Sequence, residues 1–191
     1  MNPAIERAIG RALRRVRAGE RHLIWNAPAL RGVPASISLA SSGFVADGIM
    51  PLRFAGIGVG ENKSPPLAWS GVPSAAAELV LAMEDPDAPL PRPVVHLIAT
   101  NIPATWRSLA EGALSEHAPD TIRLGRGSFG RPGYAGPRPV CGHGPHRYIF
   151  QIFAVDRPLA IRGPVDRSAA LASMAGHVLA RGRLVGVFER P

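Results

Sequence analysis

Titratable side chains are concentrated in two short segments that are rich in proline and glycine. The first, residues 84–89, reads Glu-Asp-Pro-Asp-Ala-Pro and follows an apolar run. Its two prolines fix φ and force the residues before them into extended geometry, so the carboxylates of Asp85 and Asp87 are held in place. Such carboxylates could act as a general base or bind a cation. A turn with solvated carboxylates is the alternative interpretation.

The second segment, residues 141–148, combines a thiol, two imidazoles, a guanidinium and a phenol. Its glycines let the backbone approach a ligand closely. A further histidine, His96, lies inside an apolar run, where a lone histidine is usually a core residue with its hydrogen bonds satisfied. His143 and His146 lack the helical spacing of a metalloprotease motif. Cys141 is the only cysteine, so neither a structural zinc site nor an internal disulfide is predicted.

Two chemically different sites can be built from Asp85, Asp87, His96 and His146. One is a metal site with carboxylate and imidazole ligands, which could activate water as in a hydrolase. The other is an anion site, in which imidazole N–H, phenol O–H and backbone N–H groups hold phosphate oxygens. The residues alone leave both interpretations open. Because no nucleophile stands beside a matched base, we do not predict an enzyme.

The elements that must position these residues are short strands. The chain has 191 residues with 21 Gly and 20 Pro, which interrupt short apolar runs without a collagen-like period. This pattern predicts one mainly β domain. We expect a long segment, residues 103–145, to build a site, since it contains fourteen Gly or Pro. A helix is predicted over residues 167–181, and strands over residues 37–39, 52–54, 67–69, 78–83, 94–100, 148–155 and 184–188.

The N-terminal segment is the most basic part of the chain. Residues 1–31 hold seven arginines and two glutamates, which gives +5 of the total charge of +8. Apolar residues repeat there with helical spacing at Ile5, Ile9, Leu13 and Val16. We therefore predict an amphipathic helix over residues 3–18, within a basic helical extension (residues 1–31) that precedes a domain of residues 32–191. The helix is expected to pack on its own domain or, alternatively, to make a weak membrane-surface contact.

Charge and hydropathy also exclude some classes of protein. The other 160 residues carry the remaining +3 and lack basic residues interleaved with aromatic ones, so no nucleic-acid partner is predicted. No apolar run reaches the roughly 18 residues of a membrane-spanning helix. Arginines stand where the apolar stretch of a signal peptide would lie. These features predict a cytoplasmic protein.

Four motifs together resemble the phosphatidylethanolamine-binding protein family, in particular its bacterial Raf-kinase-inhibitor-like branch. In the family's order, they are SPPLAWSGVP at 64–73, DPDAP at 85–89, GPRP at 136–139 and GHGPHRY at 142–148. The resemblance implies an antiparallel Greek-key fold, similar to a β-sandwich, with short peripheral helices. It also implies a surface pocket for a small anion, such as a phosphate ester or a phospholipid head group.

By motif position, the resemblance implies seven ligand-binding residues: Asp85, Pro89, His96, Gly136, Pro139, His146 and Tyr148. Asp87 and Arg147 are expected to support the pocket. We expect no metal, no cofactor and no catalytic residue. Relatives imply a homodimer and, for some, regulation of a kinase or protease through the pocket. Val95, Val140 and Cys141 replace residues that many relatives have, so the pocket is better specified than its ligand.

Overall fold

Two antiparallel sheets form the framework of the protein in the computed structural model, which describes residues 3–115 and 118–191. The larger sheet has the strand order β6-β4-β3-β7-β8 and the smaller one β1-β2-β5. The elements are α1 (Pro3–Leu13), β1 (Ser38–Ala40), β2 (Leu67–Ser70), β3 (Glu78–Asp85), β4 (Val94–Pro103), β5 (Ser108–Leu109), β6 (Arg123–Leu124), β7 (His146–Val155), α2 (Arg167–Met174) and β8 (Val178–Phe188). The prediction of a mainly β, sandwich-like fold is confirmed.

The larger sheet is buried on both faces at its centre. Every residue of β3 is buried, as expected for a nearly continuous apolar strand with neighbours on both sides. Successive side chains alternate between the faces. Leu79, Leu81 and Met83 pack in the core between the sheets, whereas Val80 and Ala82 pack in a second core on the outer face. The sandwich therefore needs a cover over that outer face.

Helix α2 and the N-terminal segment supply the cover. Residues 20–30 form three short 3-10 helices that place Ile24 and Leu30 in the outer core, together with Met174 of α2. Part of the predicted N-terminal extension is thus core, and the domain boundary at residue 31 stays a prediction. Within the described residues, no helix is long and apolar enough to cross a membrane.

Helix α1 is shorter than its apolar spacing predicts. It ends at Leu13 rather than near residue 18. The next residues run along the surface in a non-helical path, because the backbone of Ala18 and Gly19 donates hydrogen bonds to carbonyls of residues 86–88 instead of continuing a helix. We call residues 13–19 the N-terminal strap.

Two other predicted elements differ from the structure. Residues 52–54 form a 3-10 helix rather than a strand, because the N–H of Phe54 bonds to the carbonyl of Pro51 in a tight turn. The predicted helix of residues 167–181 ends at Met174, and β8 begins at Val178. Gly176, with φ 78°, makes the reversal between them. The N-cap is as expected, since Asp166 accepts a hydrogen bond from the N–H of Ala169 at 2.8 Å.

Candidate functional site

The two sequence motifs meet where β3 ends and β7 begins. Because β3 and β7 are adjacent and antiparallel, the last residue of β3 lies beside the first residues of β7. Asp85 Oδ2 is 2.8 Å from Nδ1 of His146, and both side chains are buried. Asp85 Oδ1 accepts hydrogen bonds from the backbone N–H groups of Asp87, at 2.7 Å, and Ala88, at 3.1 Å. The carboxylate is thus fixed by its own loop and aimed at the histidine.

A second histidine extends this contact into a chain of hydrogen bonds. Nε2 of His146 is 2.7 Å from Nδ1 of His143, whose Nε2 lies 2.9 Å from the carbonyl of Leu13 and 3.2 Å from that of Val16. Both ends of the chain, a carboxylate and carbonyls, only accept hydrogen bonds. Two neutral imidazoles carry two N–H protons, but the links from Asp85 to the strap need three.

The third proton belongs on His146. Burial, reinforced by positive charge on His146, lowers the pKa of His143, so that ring is neutral and uses its Nε2–H for the strap carbonyls. His146 then donates from both ring nitrogens, which makes it an imidazolium beside ionised Asp85. Neither nitrogen of His146 is left to hold a ligand in this arrangement.

The two supporting residues tie the motifs together. The backbone N–H, Nε and Nη2 of Arg147 donate to the carboxylate of Asp87 at 2.8–3.0 Å. Arg17 of the strap lies 3.2 Å from the same carboxylate. Burial alone would raise the pKa of Asp87, but the hydrogen bonds and charges of these two arginines lower it below its ordinary value. Arg147 also contacts Glu20 at 2.5 Å. This ion cluster joins β7, the 85–89 loop and the N-terminal segment.

His96 lies in a different setting, at an open cavity of ≈ 130 Å³. Its Nδ1 is 2.6 Å from the carbonyl of Ala135, and its other ring nitrogen makes no hydrogen bond with residues 3–115 or 118–191. Burial lowers the pKa of His96, although the charge of Asp85 acts in the opposite direction. The neutral ring therefore donates from Nδ1 and carries a lone pair on Nε2. The cavity is lined by Gly56, Ile57, Asn62, His96, Gly127, Phe129, Arg131, Pro132, Gly133, Tyr134, Ala135, Gly136 and Arg138.

Tyr148 lies between His96 and the buried histidine chain. Its ring centroid is 5.1 Å from that of His96 and 6.5 Å from that of His146. Its hydroxyl is buried without a hydrogen-bond partner among the described residues. Burial, together with the Asp85 charge, raises the pKa of Tyr148 well above its ordinary value. Because Tyr148 is fully buried and does not line the cavity, it supports the His96 ring from behind.

The structure divides the seven predicted ligand-binding residues into groups. His96 and Gly136 line the open cavity, and Tyr148 contacts His96 behind it. Asp85 and His146 are joined to each other, away from the cavity lining. The remaining two, Pro89 and Pro139, do not line the cavity either; Pro89 is half-buried and Pro139 is buried.

Of the thirteen residues that line the cavity, only His96 and Gly136 were identified as site residues from sequence; the others include one amide, Asn62, and two guanidinium side chains. Asn62, with φ 56°, accepts a hydrogen bond from the N–H of Gly136 at 2.8 Å and donates to the carbonyl of Tyr134 at 3.1 Å. A left-handed asparagine after a glycine-rich turn is a recognisable signal for such a role. Arg131 and Arg138 also line the cavity. Nothing in the sequence distinguished these two arginines as site residues, because arginine is frequent throughout this chain.

The N-terminal segment covers the side of the site that holds the histidine chain. Ala18 and Gly19 donate to the carbonyls of Ala88 and Pro86 at 3.0 and 2.8 Å. Helix α1 packs through Gly10, where a Cβ would lie 2.0 Å from the carbonyl oxygen of Cys141.

The apolar stripe of α1 therefore faces outward. Ile5 and Ile9 of α1 are 54% and 42% exposed, and Val16, which lies in the strap, is 47% exposed. Leu13, the fourth residue of the predicted stripe, is half-buried. The expectation that this stripe packs on its own domain is wrong, because Gly10 permits the closer approach. The weak membrane-surface contact predicted for residues 3–18 stays a prediction.

The described residues do not assemble a set of metal ligands. Within residues 3–115 and 118–191, no group of three or more His, Cys, Asp or Glu side chains is placed to hold a metal ion. His146 in addition has both ring nitrogens in hydrogen bonds. The metal interpretation thus has no ligand set in the part of the chain that the structure shows.

We expect mild acid to destabilise the protein through His96 and His143. The pKa of each ring is lower in the folded chain than the value of about 6.5 in an unfolded one. The unfolded chain therefore binds more protons below that pH. The stabilisation is complete above about pH 6.5 and is lost as the pH falls through the folded pKa, by at most about 1.4 kcal/mol per pH unit for each ring.

Urea unfolding between pH 8 and pH 5 measures this effect. The His143→Gln variant should lose stability less steeply than the unmodified chain as the pH falls. His22→Gln, at an exposed histidine, is the matched control for a histidine-to-glutamine replacement. An unaltered slope in His143→Gln would contradict the neutral state assigned to this ring.

Comparisons with known proteins agree with the geometry. Residues 40–189 match the family model described as phosphatidylethanolamine-binding protein. A UPF0098 protein of Pyrococcus abyssi is 38% identical over 153 residues, which are 78% of this chain and 84% of that protein. The strap and α1 precede the residues that match the family model.

Solved structures give the same result. E. coli YbcL, described as a member of the mammalian PEBP family, has a TM-score of 0.74 and 28% identity, covering 82% of this chain and 100% of its own. A phosphatidylethanolamine-binding protein homolog from Chlamydia trachomatis has a TM-score of 0.73 and 32% identity, covering 82% of this chain and 99% of its own.

Proposed function

Because this chain belongs to the phosphatidylethanolamine-binding protein family, we propose that it binds a small anion, such as a phosphate ester or a phospholipid head group, in the cavity beside His96. One observation carries the proposal. The lining of this cavity includes His96, Arg131 and Arg138 but no carboxylate. A concave site with positive charge and no negative charge favours an anionic ligand.

The details of the lining suit an ester that has both a charged and an organic part. The Arg131 side chain makes no hydrogen bond or ion pair with the described residues, so its five N–H donors are free for a ligand. Ile57 and Phe129, which are 57% and 54% exposed, form an apolar rim. The Phe129 ring lies 5.4 Å from that of His96, centroid to centroid. The organic part would contact this rim while the anion reaches the guanidinium.

His96 couples anion binding to a proton. In the free protein its Nε2 carries a lone pair, which repels a fully ionised phosphate oxygen. An anion in the cavity favours the charged form of the ring, since nearby opposite charge stabilises an imidazolium. Binding should therefore take up a proton at His96 and strengthen as the pH falls from 8 to 6.

The proposal is one of binding rather than catalysis. The buried chain that starts at Asp85 ends on backbone carbonyls of the strap and not on a nucleophile. A cytoplasmic location, a homodimer and a kinase or protease partner stay predictions from the sequence.

Isothermal titration calorimetry with inorganic phosphate and with phosphoethanolamine tests the proposal. We expect Arg131→Ala to weaken binding about tenfold or more, since a hydrogen bond to a charged group contributes about 1.5–3 kcal/mol. His96→Gln should abolish the proton uptake, seen as a binding heat that no longer varies with the ionisation enthalpy of the buffer. Arg162→Ala, at an exposed arginine outside the cavity, is the matched control.

The outcome that contradicts the proposal is specific. If Arg131→Ala and His96→Gln both bind phosphate and phosphoethanolamine as the control does, the cavity is not the site. Thermal unfolding of each variant shows whether it is folded before its affinity is compared.

A further inference from the structure

A second, larger cavity of ≈ 420 Å³ lies on the other side of β4 from the first. Val95 lines the second cavity and its neighbour His96 the first, because successive side chains of a strand point to opposite faces. Ser128 lines the second cavity, whereas Gly127 and Phe129 line the first. The two cavities are therefore separate sites that share only a strand and a turn.

The N-terminal segment builds about half of this second cavity. Its lining includes residues 21–23 and 26–28, which precede the residues matched by the family model. The opposite wall comes from Arg92 and Pro93 before β4 and from the first turn of α2. Residues 40–189, which match the family model, would by themselves form this cavity without the wall supplied by the N-terminal segment.

The charge of the lining has one sign. Arg21, Arg92 and Arg167 line the cavity together with His22, and no carboxylate does. The side chains of Arg21 and Arg92 are exposed and form no ion pair or hydrogen bond with residues 3–115 or 118–191. Two of the three guanidinium groups thus have no paired anion, so they raise the local positive potential and favour a ligand of opposite charge.

Arg167 is held in position by the protein. Its Nε donates to the buried carboxylate of Glu84 at 2.8 Å, and its Nη2 donates to the carbonyl of His22. Nη1 has no such contact, so the guanidinium is oriented from behind with one nitrogen free. Glu84 offsets part of this charge, but its side chain is fully buried. A preorganised arginine loses less conformational freedom on binding.

Two carboxylates that directly precede lining residues in the sequence are engaged elsewhere. Glu20, which precedes the cavity wall, pairs with Arg147 at 2.5 Å and lies 3.9 Å from Arg183. Asp166 caps α2 through the N–H of Ala169. Neither carboxylate lines the cavity, so neither competes directly for the arginines.

Neutral donors and an apolar wall complete the site. Ser128 Oγ accepts a hydrogen bond from the N–H of Val95 at 2.9 Å, which leaves its hydroxyl proton to donate to a ligand. Leu23, Ala27 and Leu171 supply apolar surface in the same lining. Such a cavity matches a compact ligand with several negative charges better than a single monoanion.

We infer that this cavity is a second ligand site, distinct from the one beside His96, and that it takes a small molecule with two or more linked phosphate groups. Three guanidinium groups can engage a diphosphate through several charge-assisted hydrogen bonds, whereas one phosphate would reach only part of them. The greater volume agrees with the larger ligand. The site does not depend on the ligand of the first cavity.

Calorimetric titration of the full chain with inorganic pyrophosphate at low ionic strength tests the inference. We expect the tightest binding event to be at this cavity, so that Arg92→Ala and Arg21→Ala each weaken it about tenfold or more. Arg31→Ala removes one exposed arginine from the same segment but outside the cavity, and it should bind like the unmodified chain. Since Arg21 and Arg92 have no partner among the described residues, thermal unfolding should be unchanged in both variants.

Arg131→Ala separates this inference from the function proposed above. It should weaken orthophosphate binding at the first cavity and leave the tightest pyrophosphate binding event unchanged. If instead pyrophosphate binding is lost in Arg131→Ala and kept in Arg92→Ala, the ligand occupies the first cavity and the second site does not exist. Equal pyrophosphate affinity in Arg21→Ala, Arg92→Ala and Arg31→Ala, or no pyrophosphate binding at all, would also overturn the inference.

Discussion

Replacing Asp85 with alanine is expected to lower the free energy of unfolding by about 3–5 kcal/mol, whereas asparagine at the same position should cost about 1–3 kcal/mol. The alanine variant leaves the His146 imidazolium buried without its carboxylate. It also removes the acceptor of the N–H groups of Asp87 and Ala88. A buried charge or donor that loses its partner retains the full cost of desolvation.

Asparagine can restore every one of these hydrogen bonds with one proton fewer. Its Oδ1 accepts from the two backbone N–H groups, and its Nδ2 donates to Nδ1 of His146. His146 then needs only the proton on Nε2, which it donates to His143. The variant therefore exchanges an ion pair for a neutral chain that keeps these hydrogen bonds and leaves only the second N–H of Nδ2 without a partner, so it should cost less stability than alanine.

Two measurements check this pair of variants. Urea unfolding at pH 7.5 gives the two changes in stability, and ¹⁵N chemical shifts of the imidazole nitrogens show whether His146 is doubly protonated in the unmodified chain and neutral in Asp85→Asn. If both variants lose the same stability, or if His146 keeps its charge in Asp85→Asn, the proton count along the histidine chain is wrong.

Glu84→Ala should have an effect of similar size for a different reason. Glu84 is fully buried and accepts three hydrogen bonds, from the N–H of Ile24 at 2.7 Å, Nε2 of Gln151 at 2.8 Å and Nε of Arg167 at 2.8 Å. These donors belong to the N-terminal segment, β7 and α2. One carboxylate thus fastens two covering elements to the sheet, and its loss should cost about 3–5 kcal/mol.

The matched control is Glu111→Ala. Glu111 pairs with Arg53 at 3.1 Å, but both side chains are exposed to solvent by more than a third. An exposed ion pair contributes about 0–1 kcal/mol. Chemical denaturation of the two variants should therefore differ by several kcal/mol. A Glu84→Ala variant as stable as Glu111→Ala would show that the three hydrogen bonds do not anchor the outer cover.

The central strands of the larger sheet could be predicted because their burial on both faces appears directly in the sequence as runs of apolar residues. β3, β4 and β7 are flanked by other strands and covered on both faces, so they appear as uninterrupted apolar runs. The meeting of Asp85 and His146 follows from the antiparallel pairing of β3 with β7. By contrast, Leu52 and Phe54 show a two-residue apolar spacing that a strand and a tight turn after proline share.

The strap could not be predicted, for a physical reason. His143 bonds to the backbone carbonyls of Leu13 and Val16, and every residue type supplies the same carbonyl. Helix α1 can approach the backbone of Cys141 because Gly10 has no Cβ. The apolar spacing of this segment predicted instead that Ile5 and Ile9 would pack on the domain, but both are exposed. For this reason the sequence also did not predict that both ring nitrogens of His146 make hydrogen bonds within the protein, since one of them bonds to His143.

The contacts of α1 with residues 190 and 191 join segments from the two ends of the chain. Glu6 Oε1 is 2.8 Å from Nη1 of Arg190, and Nη2 of Arg7 is 3.1 Å from the carbonyl of Pro191, across 184 residues of chain. α1 is synthesised before residues 190 and 191, which form part of the surface that receives it. Contacts of such long range form late because a large loop must close first. We therefore expect the contacts of α1 with residues 190 and 191 to be among the last of the fold to form.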